Sequence, residues 1–340
     1  MSSNSQLTTF TDLYTDLQNR VRVQTGVSAT QTQAQRYINI ALQDMHLGFD
    51  YRFPWAERSS SIITQAQYTT GTCSISQGST SLSGQGTAWN TNNSFAVPNF
   101  RVNGKIRVAG SLTPYTIASV SSDSAATLSS AFTETDQLVQ TYVYYENEYS
   151  LATDFLRPVD LQQFSYQLSI DLIGRNEFRR RYPTNSIPGI PTVACIVDSA
   201  PTGNTTPVRR VRFERPPSIA MTIPYAYITS NLAISSTGNP QANLSADTDE
   251  PIVPLRYRHA LVFHALQAWY RDKKDDSRSQ EAKAEYTDIM MRIASDIEVG
   301  GVRPQIRPRV SGYMHSAKRP WSGTRTSRRY DINGEFDRMR

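Results

Sequence analysis

The chain has 340 residues, 38% hydrophobic and 10% aromatic, which is enough for a sizeable core and longer than one ordinary domain. The formal net charge of +5 is unevenly placed: after Gly300, ten basic residues face three acidic ones, which leaves a net −2 on everything before. The body therefore has no general attraction for polyanions, and no stretch approaches the ~18 consecutive apolar residues of a membrane-spanning helix.

The N-terminal MSSNSQLTTFTDLY has neither a basic n-region nor an apolar h-region, so no secretory signal is expected. Cys73 and Cys195 stand far apart, outside any CxxC pair, and read as buried thiols in a reducing compartment.

In chain order, residues 1–57 read as the first helices of a core. Leu13, Leu17 and Val21 recur at i, i+4 and i+8, with Thr9 and Asp12 at capping spacing and Gly26 as the stop. Ala34, Tyr37, Ile38, Ala41, Leu42 and Met45 make a second stripe that ends at Gly48, and the short link implies an antiparallel hairpin.

The pattern changes after Phe53-Pro54-Trp55. Residues 58–147 lose the helical period and alternate, as at Ile106/Val108, Tyr115/Ile117 and Tyr142/Tyr144. An inserted all-β domain of about six to eight short strands is expected, a sandwich or a partly closed barrel.

Residues 148–250 are mixed. Leu168, Leu172 and Phe178 suggest a helix over LSIDLIGRNEFRRRY, with strands at TVACIV, VRRVRF and AMTIPYAYI; Pro224 assigns the last to an edge or a bulge. Residues 251–300 read as two more helices. Leu255, His259, Val262, Phe263, Leu266 and Trp269 share one face, RDKKDD forms the polar turn, and Ser277 to Gln280 has capping-box spacing for the next helix. That helix carries Ala282, Tyr286, Ile289, Met290, Ile293 and Ile297 and stops at Gly300-Gly301. The expected fold is α+β: a helical-bundle core from N- and C-terminal helix pairs, an inserted small all-β domain, and an extended basic arm over residues 301–340.

Motifs for catalysis are missing. There is no Walker A loop, no GxGxxG after a strand and no GxSxG elbow. His259 and His264 stand at i, i+5, about 140° apart on a helix, which disfavours a shared metal. His46 and His315 have no visible partner, and Asp247, Asp249 and Glu250 lack the glycine and distal glutamate of a calcium loop, reading instead as an acidic loop before a helix N-terminus. No cofactor, metal or enzymatic activity is expected. The basic run Arg175 to Tyr182 reads as the solvated face of a short helix against a neighbouring subunit, with a contact to phosphate or carboxylate as the alternative.

The most distinctive stretch is QYTTGTCSISQGSTSLSGQGTAW, Gln67 to Trp89. It reads as a β-hairpin in which Cys73, Ile75 and Leu82 face one way, Gln77-Gly78 turns the chain, and Trp89 packs down as an anchor. The spacing Thr70-Gly71-Thr72, Gly78-Ser79-Thr80, Gly84-x-Gly86-Thr87-x-Trp89 resembles the signature of β-insertions in bacteriophage virion proteins. EYSLATDFLR (Glu148 to Arg157, with Ala152 where the family has proline), RFERPPS (Arg212 to Ser218) and PIVPLRYRHALVFHAL (Pro251 to Leu266) follow in the order seen in head-to-tail adaptor, or connector, proteins.

That resemblance implies a structural protein of the virion neck or tail, assembled in the bacterial cytoplasm. The expected assembly is a closed homo-oligomeric ring of about twelve copies under the portal protein, with tail or nozzle proteins below it. Genomic DNA would pass through the channel without sequence-specific binding, and no membrane is involved. The arm would dock on the portal through Arg303, Arg307, Arg309, Tyr313, Lys318, Arg319, Trp321, Arg325, Arg328, Arg329, Tyr330 and Phe336, aromatic anchors with arginine forks pairing carboxylates between them. Two alternatives stay open: a nucleic-acid-binding protein with a basic tail, and a glycan-binding or cell-wall-degrading virion protein.

Overall fold

The computed structural model describes residues 6–23, 27–47, 53–160, 164–165, 168–183, 187–198, 208–301, 329–330 and 336–337. The chain divides into two compact units, residues 1–261 and 262–340.

The first unit opens with helices α1 (Phe10–Val21) and α2 (Ser28–Leu47). Thr9 and Asp12 form the expected capping box at the start of α1, and Arg22, in the left-handed region at φ 58°, ends it. The helix therefore stops before Gly26, because Arg22 already turns its N–H back onto Asn19 and Gln18. Strand β1 (Glu57–Ile63) follows a one-turn 3-10 segment, Pro54–Ala56.

Seven strands come next: β2 (Thr72–Ile75), β3 (Ser81–Gln85), β4 (Lys105–Val108), β5 (Tyr115–Ser122), β6 (Ala125–Leu128), β7 (Gln137–Gln140) and β8 (Tyr142–Tyr145). They form one antiparallel sheet in the order β7-β2-β3-β6-β5-β4-β8. β7 and β8 are separated only by Thr141 yet occupy opposite ends of that order, so the sheet must curl on itself into a half-barrel. Tyr68, just before β2, bridges Tyr144 of β8 and draws the two ends together.

The chain then runs through β9 (Glu148–Ser150), β10 (Phe155–Pro158), β11 (Asp171–Leu172), helix α3 (Arg175–Arg181), β12 (Val193–Asp198), β13 (Arg209–Phe213) and β14 (Thr222–Thr229). Two sheets result, β1-β14-β10 and β11-β12-β13-β9. Their inward side chains, among them Ile62, Phe155, Ile223 and Tyr225 from one and Tyr149, Ala194, Val211 and Phe213 from the other, share one core. Three two-residue strands, β15 (Ala233–Ile234), β16 (Pro240–Gln241) and β17 (Glu250–Pro251), complete the β-structure of this unit. The boundary with the second unit falls inside α4 (His259–Asp272), and α5 (Asp276–Gly301) follows. Between residues 329 and 337 the backbone forms a two-residue ladder, β18 (Arg329–Tyr330) with β19 (Phe336–Asp337).

The architecture corrects the expected helical-bundle core. Among the described residues five sheets, the seven-stranded half-barrel the largest, stand beside only five α-helices, and the helix pairs at the two ends fall in different units. The reason is aromatic: residues 148–228 carry enough buried Phe, Tyr and Ile to build a sandwich core of their own, so the middle of the chain needs no helical scaffold.

Three local readings change with it. β1 belongs to the sandwich, pairing with β14 from Glu57↔Ile228 to Ile63↔Thr222, so the half-barrel starts later than residue 58. β14 is a central strand despite Pro224, because β10 runs beside only its C-terminal half, Tyr227 to Thr229. At Pro224 the strand has β1 alone as neighbour, and the missing N–H costs no ladder bond on the other side. The helix expected over 168–182 shrinks to α3, because Ile170 is buried in the sandwich and Asp171–Leu172 pair in parallel with β12.

In the second unit α4 and α5 form an antiparallel hairpin. His264 meets the Tyr286 ring edge-on at 4.9 Å, Ser279 Oγ donates to the Gln267 carbonyl, and Arg278 lies over Tyr270. Lys274, at φ 58°, turns the chain within the polar stretch expected there. The cap of α5 is Asp275, whose Oδ1 accepts from Arg278 N at 3.2 Å, in place of Ser277.

Candidate interaction site at the seam of the half-barrel and the sandwich

The signature hairpin forms as the spacing predicts. Cys73, Ile75, Leu82 and Trp89 all point into the half-barrel core. Trp89 stacks on Phe100 at 4.8 Å, Phe100 stacks on Tyr144 at 4.1 Å, and the Trp89 indole donates to Tyr142 Oη at 2.9 Å. This aromatic column ends at the seam where the chain leaves β8 and enters β9.

Glu146 sits in that seam, 4% exposed. It accepts two bonds from the Arg101 fork, Nε to Oε1 at 2.9 Å and Nη2 to Oε2 at 2.5 Å, and a third from the Tyr144 hydroxyl. The remaining Arg101 donors reach back to the Ile63 carbonyl at the end of β1. Tyr149 Oη accepts from Gln65 N and donates to the Glu146 carbonyl. Burial first, and the neighbouring carboxylate second, hold both tyrosine hydroxyls protonated far above their ordinary range. The segment leaving β1 (63–65) and the segment entering β9 (146–149) are thus tied by one largely buried ion pair where the half-barrel joins the sandwich.

Two residues on, the electrostatics reverse. Glu148 faces three cations from two neighbouring strands: Lys105 Nζ at 3.6 Å, Arg210 Nη1 at 3.7 Å and Arg212 Nε at 3.5 Å. Register explains the gathering, since Lys105 lies opposite Tyr145 on β4, and Arg212 and Arg210 lie opposite Glu148 and Ser150 on β13. Burial pushes the Lys105 ammonium down; Glu148 pulls it up, and Arg212 and Arg210 push it down further. The Arg212 guanidinium lies 6.0 Å over Phe178, the buried residue of α3. Arg175 and Arg179 of the same helix act with Arg212 to lower the Cys195 thiol against its burial. Beside the cluster is a cavity of about 260 Å³ lined by Gln67, Arg107, Val143, Tyr145, Ile187 and Pro188.

The acidic loop lies against a helix N-terminus, but through space: the helix is α1, far earlier in the chain. The carbonyls of Asp249 and Asp247 accept from Phe10 N and Thr11 N, while the buried Asp249 carboxylate accepts from the N–H groups of Ser245 and Ala246. Glu250 pairs with Arg258 at 3.1 Å. His46 has partners after all: its Nδ1–H donates to the Leu42 carbonyl and its Nε2 accepts from Trp55 Nε1.

Burial raises the thiols of Cys73 and Cys195 to about 12 and about 11, against nucleophilic use. Among the described residues no group of three or more His, Cys, Asp or Glu could hold a metal ion, and no helix is long and apolar enough to cross a membrane.

Of the arm residues, Arg303, Arg307, Arg309, Tyr313, Lys318, Arg319, Trp321, Arg325 and Arg328 lie outside the described residues, as does His315. Arg329, Tyr330 and Phe336 contribute backbone to the β18–β19 ladder. The seam residues Arg101 and Glu146 and the Glu148 cluster were not singled out from sequence. One signal for them existed: in VRRVRF the alternation sends Val211 and Phe213 inward and Arg210 and Arg212 to the opposite face. Comparison with known protein families and with curated proteins finds no match.

Proposed function

We propose that this protein is a structural component of a bacteriophage virion, a head-to-tail adaptor without catalytic activity of its own. In this reading it forms a ring beneath the portal, links capsid to tail, lines part of the DNA channel and docks on the portal through its basic arm. The observation that carries the reading is the hairpin signature from Gln67 to Trp89, followed in order by three further adaptor-like segments and a C-terminal arm with seven excess positive charges. The helical core that the resemblance implied is not part of the proposal. In its place, the buried Arg101–Glu146 bolt supports the reading, because a subunit that repeats around a ring needs its modules held at one angle.

Class averages of the purified protein, alone and mixed with portal, test the proposal. A closed ring that seats coaxially on the portal is expected; a persistent monomer that ignores the portal would refute it. Nucleic-acid binding is favoured as a second reading by the cations around Glu148, and it is distinguished by a steep salt dependence of duplex binding without any ring.

A further inference from the structure

We propose that Lys105, Arg210 and Arg212, gathered around Glu148 at the seam, form a binding site for a divalent phosphate-type oxyanion, inorganic phosphate or a phosphomonoester. The inference is independent of the adaptor reading and uses only the first unit.

Charge supports it first. Three cations share one carboxylate, an excess of two positive charges. A carboxylate ligand or a phosphodiester would leave part of that excess standing. A phosphate dianion or monoester carries about −1.5 to −2 and matches it.

Geometry supports it second. The three cation–carboxylate distances, 3.5 to 3.7 Å, exceed the ~2.7–2.9 Å of a charge-assisted hydrogen bond. Glu148 therefore stands inside a loose ring of donors without engaging them closely. Arg212 Nε is buried and has no hydrogen-bond partner. An oxyanion with three or four acceptor oxygens could take these donors together, as one carboxylate cannot.

Placement supports it third. The side chains of Lys105, Arg210 and Arg212 are 21%, 11% and 26% exposed, dry enough to strengthen a charge contact and open enough to admit an ion. Two of the cations project from β13 and one from β4, all in regular ladders, and Phe178 holds the Arg212 plane from behind. The site is built before the ligand arrives, so little ordering accompanies binding.

Glu148 then acts as a competitor for the same donors, and this distinguishes a binding site from a structural ion cluster. The test is calorimetric titration of the full-length protein with inorganic phosphate, against sodium chloride at equal ionic strength. Saturable binding is expected with phosphate and none with chloride. Glu148→Gln should tighten phosphate binding several-fold, while Arg212→Gln and Lys105→Met each weaken it tenfold or more. Circular dichroism of each variant without phosphate checks the fold; if Arg212→Gln does not fold, Glu148→Gln decides alone. Absence of saturable binding, or a Glu148→Gln variant that binds phosphate equally or more weakly, overturns the proposal. A short single strand of DNA with a 5′-phosphate, compared with its unphosphorylated twin, then distinguishes the sources. Preference for the phosphorylated strand assigns the site to nucleic-acid ends, and equal response with phosphate binding intact assigns it to the free ion.

Discussion

At the residue scale, Glu146 and His46 carry the sharpest consequences. Glu146 is buried with two donors of Arg101 and one of Tyr144 aimed at it, so removing its charge leaves a guanidinium, 24% exposed, without its counter-ion. Glu146→Gln should cost about 3 kcal/mol of unfolding free energy, read from the urea midpoint, because a broken buried pair leaves an uncompensated charge. A loss below about 1 kcal/mol would rank the pair with ordinary surface contacts. His46 is held neutral by partners of fixed sense: the Leu42 carbonyl can only accept, and the Trp55 indole can only donate. Burial lowers its pKa below the ordinary value of 6.5. The native state thus binds fewer protons than the unfolded chain once pH falls below about 6.5. The stability that depends on neutral His46 is complete above that pH and lost progressively below it. Melting temperature should fall from pH 7.5 toward pH 5.5, and His46→Gln should flatten that part of the profile, leaving the slope due to carboxylates at lower pH.

At the element scale, the signature hairpin shows why its glycines stand where they do. Gly71 has φ +83°, and a Cβ there would lie 2.6 Å from the Gln85 carbonyl oxygen and 2.7 Å from that of Gly86. Backbone atoms of a paired strand cannot yield, so Gly71→Ala should cost about 2 kcal/mol or more. Gly78 has φ +75° but faces open space, and Gly78→Ala should cost only about 1 kcal/mol, the conformational part alone. Thermal melts of the two variants check the difference; equal losses would mean that backbone angle, and not crowding, governs both positions. Gly86, at φ +67°, turns the chain out of β3, while at Gly84, still paired with Cys73, a Cβ would lie 2.9 Å from the Trp89 ring, so its absence makes room for the anchor.

At the scale of the whole molecule, the body and the arm divide the charge between them. About forty residues after Gly300 could span on the order of 130 Å if extended, at ~3.3 Å per residue. On the proposed adaptor reading, that length is laid along the portal. If the proposed adaptor role is right, removing residues 301–340 leaves the first unit folded, with its melting transition shifted by less than a few degrees, yet abolishes attachment to portal-filled heads. Tailed, DNA-retaining particles assembled from the truncated protein would show that the arm has no such role.

How much of this was legible in the amino-acid order follows from the range of the interactions. Thr9 with Asp12, the stripes of α1 and α2, the turn at Gly78 and the inward side chains of the hairpin were readable, because each depends on neighbours a few residues away. The sheet that receives each strand was not. Glu57–Ile63 looks like the first strand of the insertion, but its partner is Thr222–Thr229, more than 150 residues on, and only the packed aromatic core of the sandwich selects that pairing. The same holds for the seam: Lys105, Glu148, Arg210 and Arg212 are ordinary strand residues in the sequence, and β-register alone brings their charges together. Local periodicity and capping thus belong to the sequence by itself, while the division into half-barrel and sandwich, the buried bolt and the cation cluster exist only in the tertiary structure, because long-range strand pairing is chosen by the sum of burial over both sheets and not by any one segment.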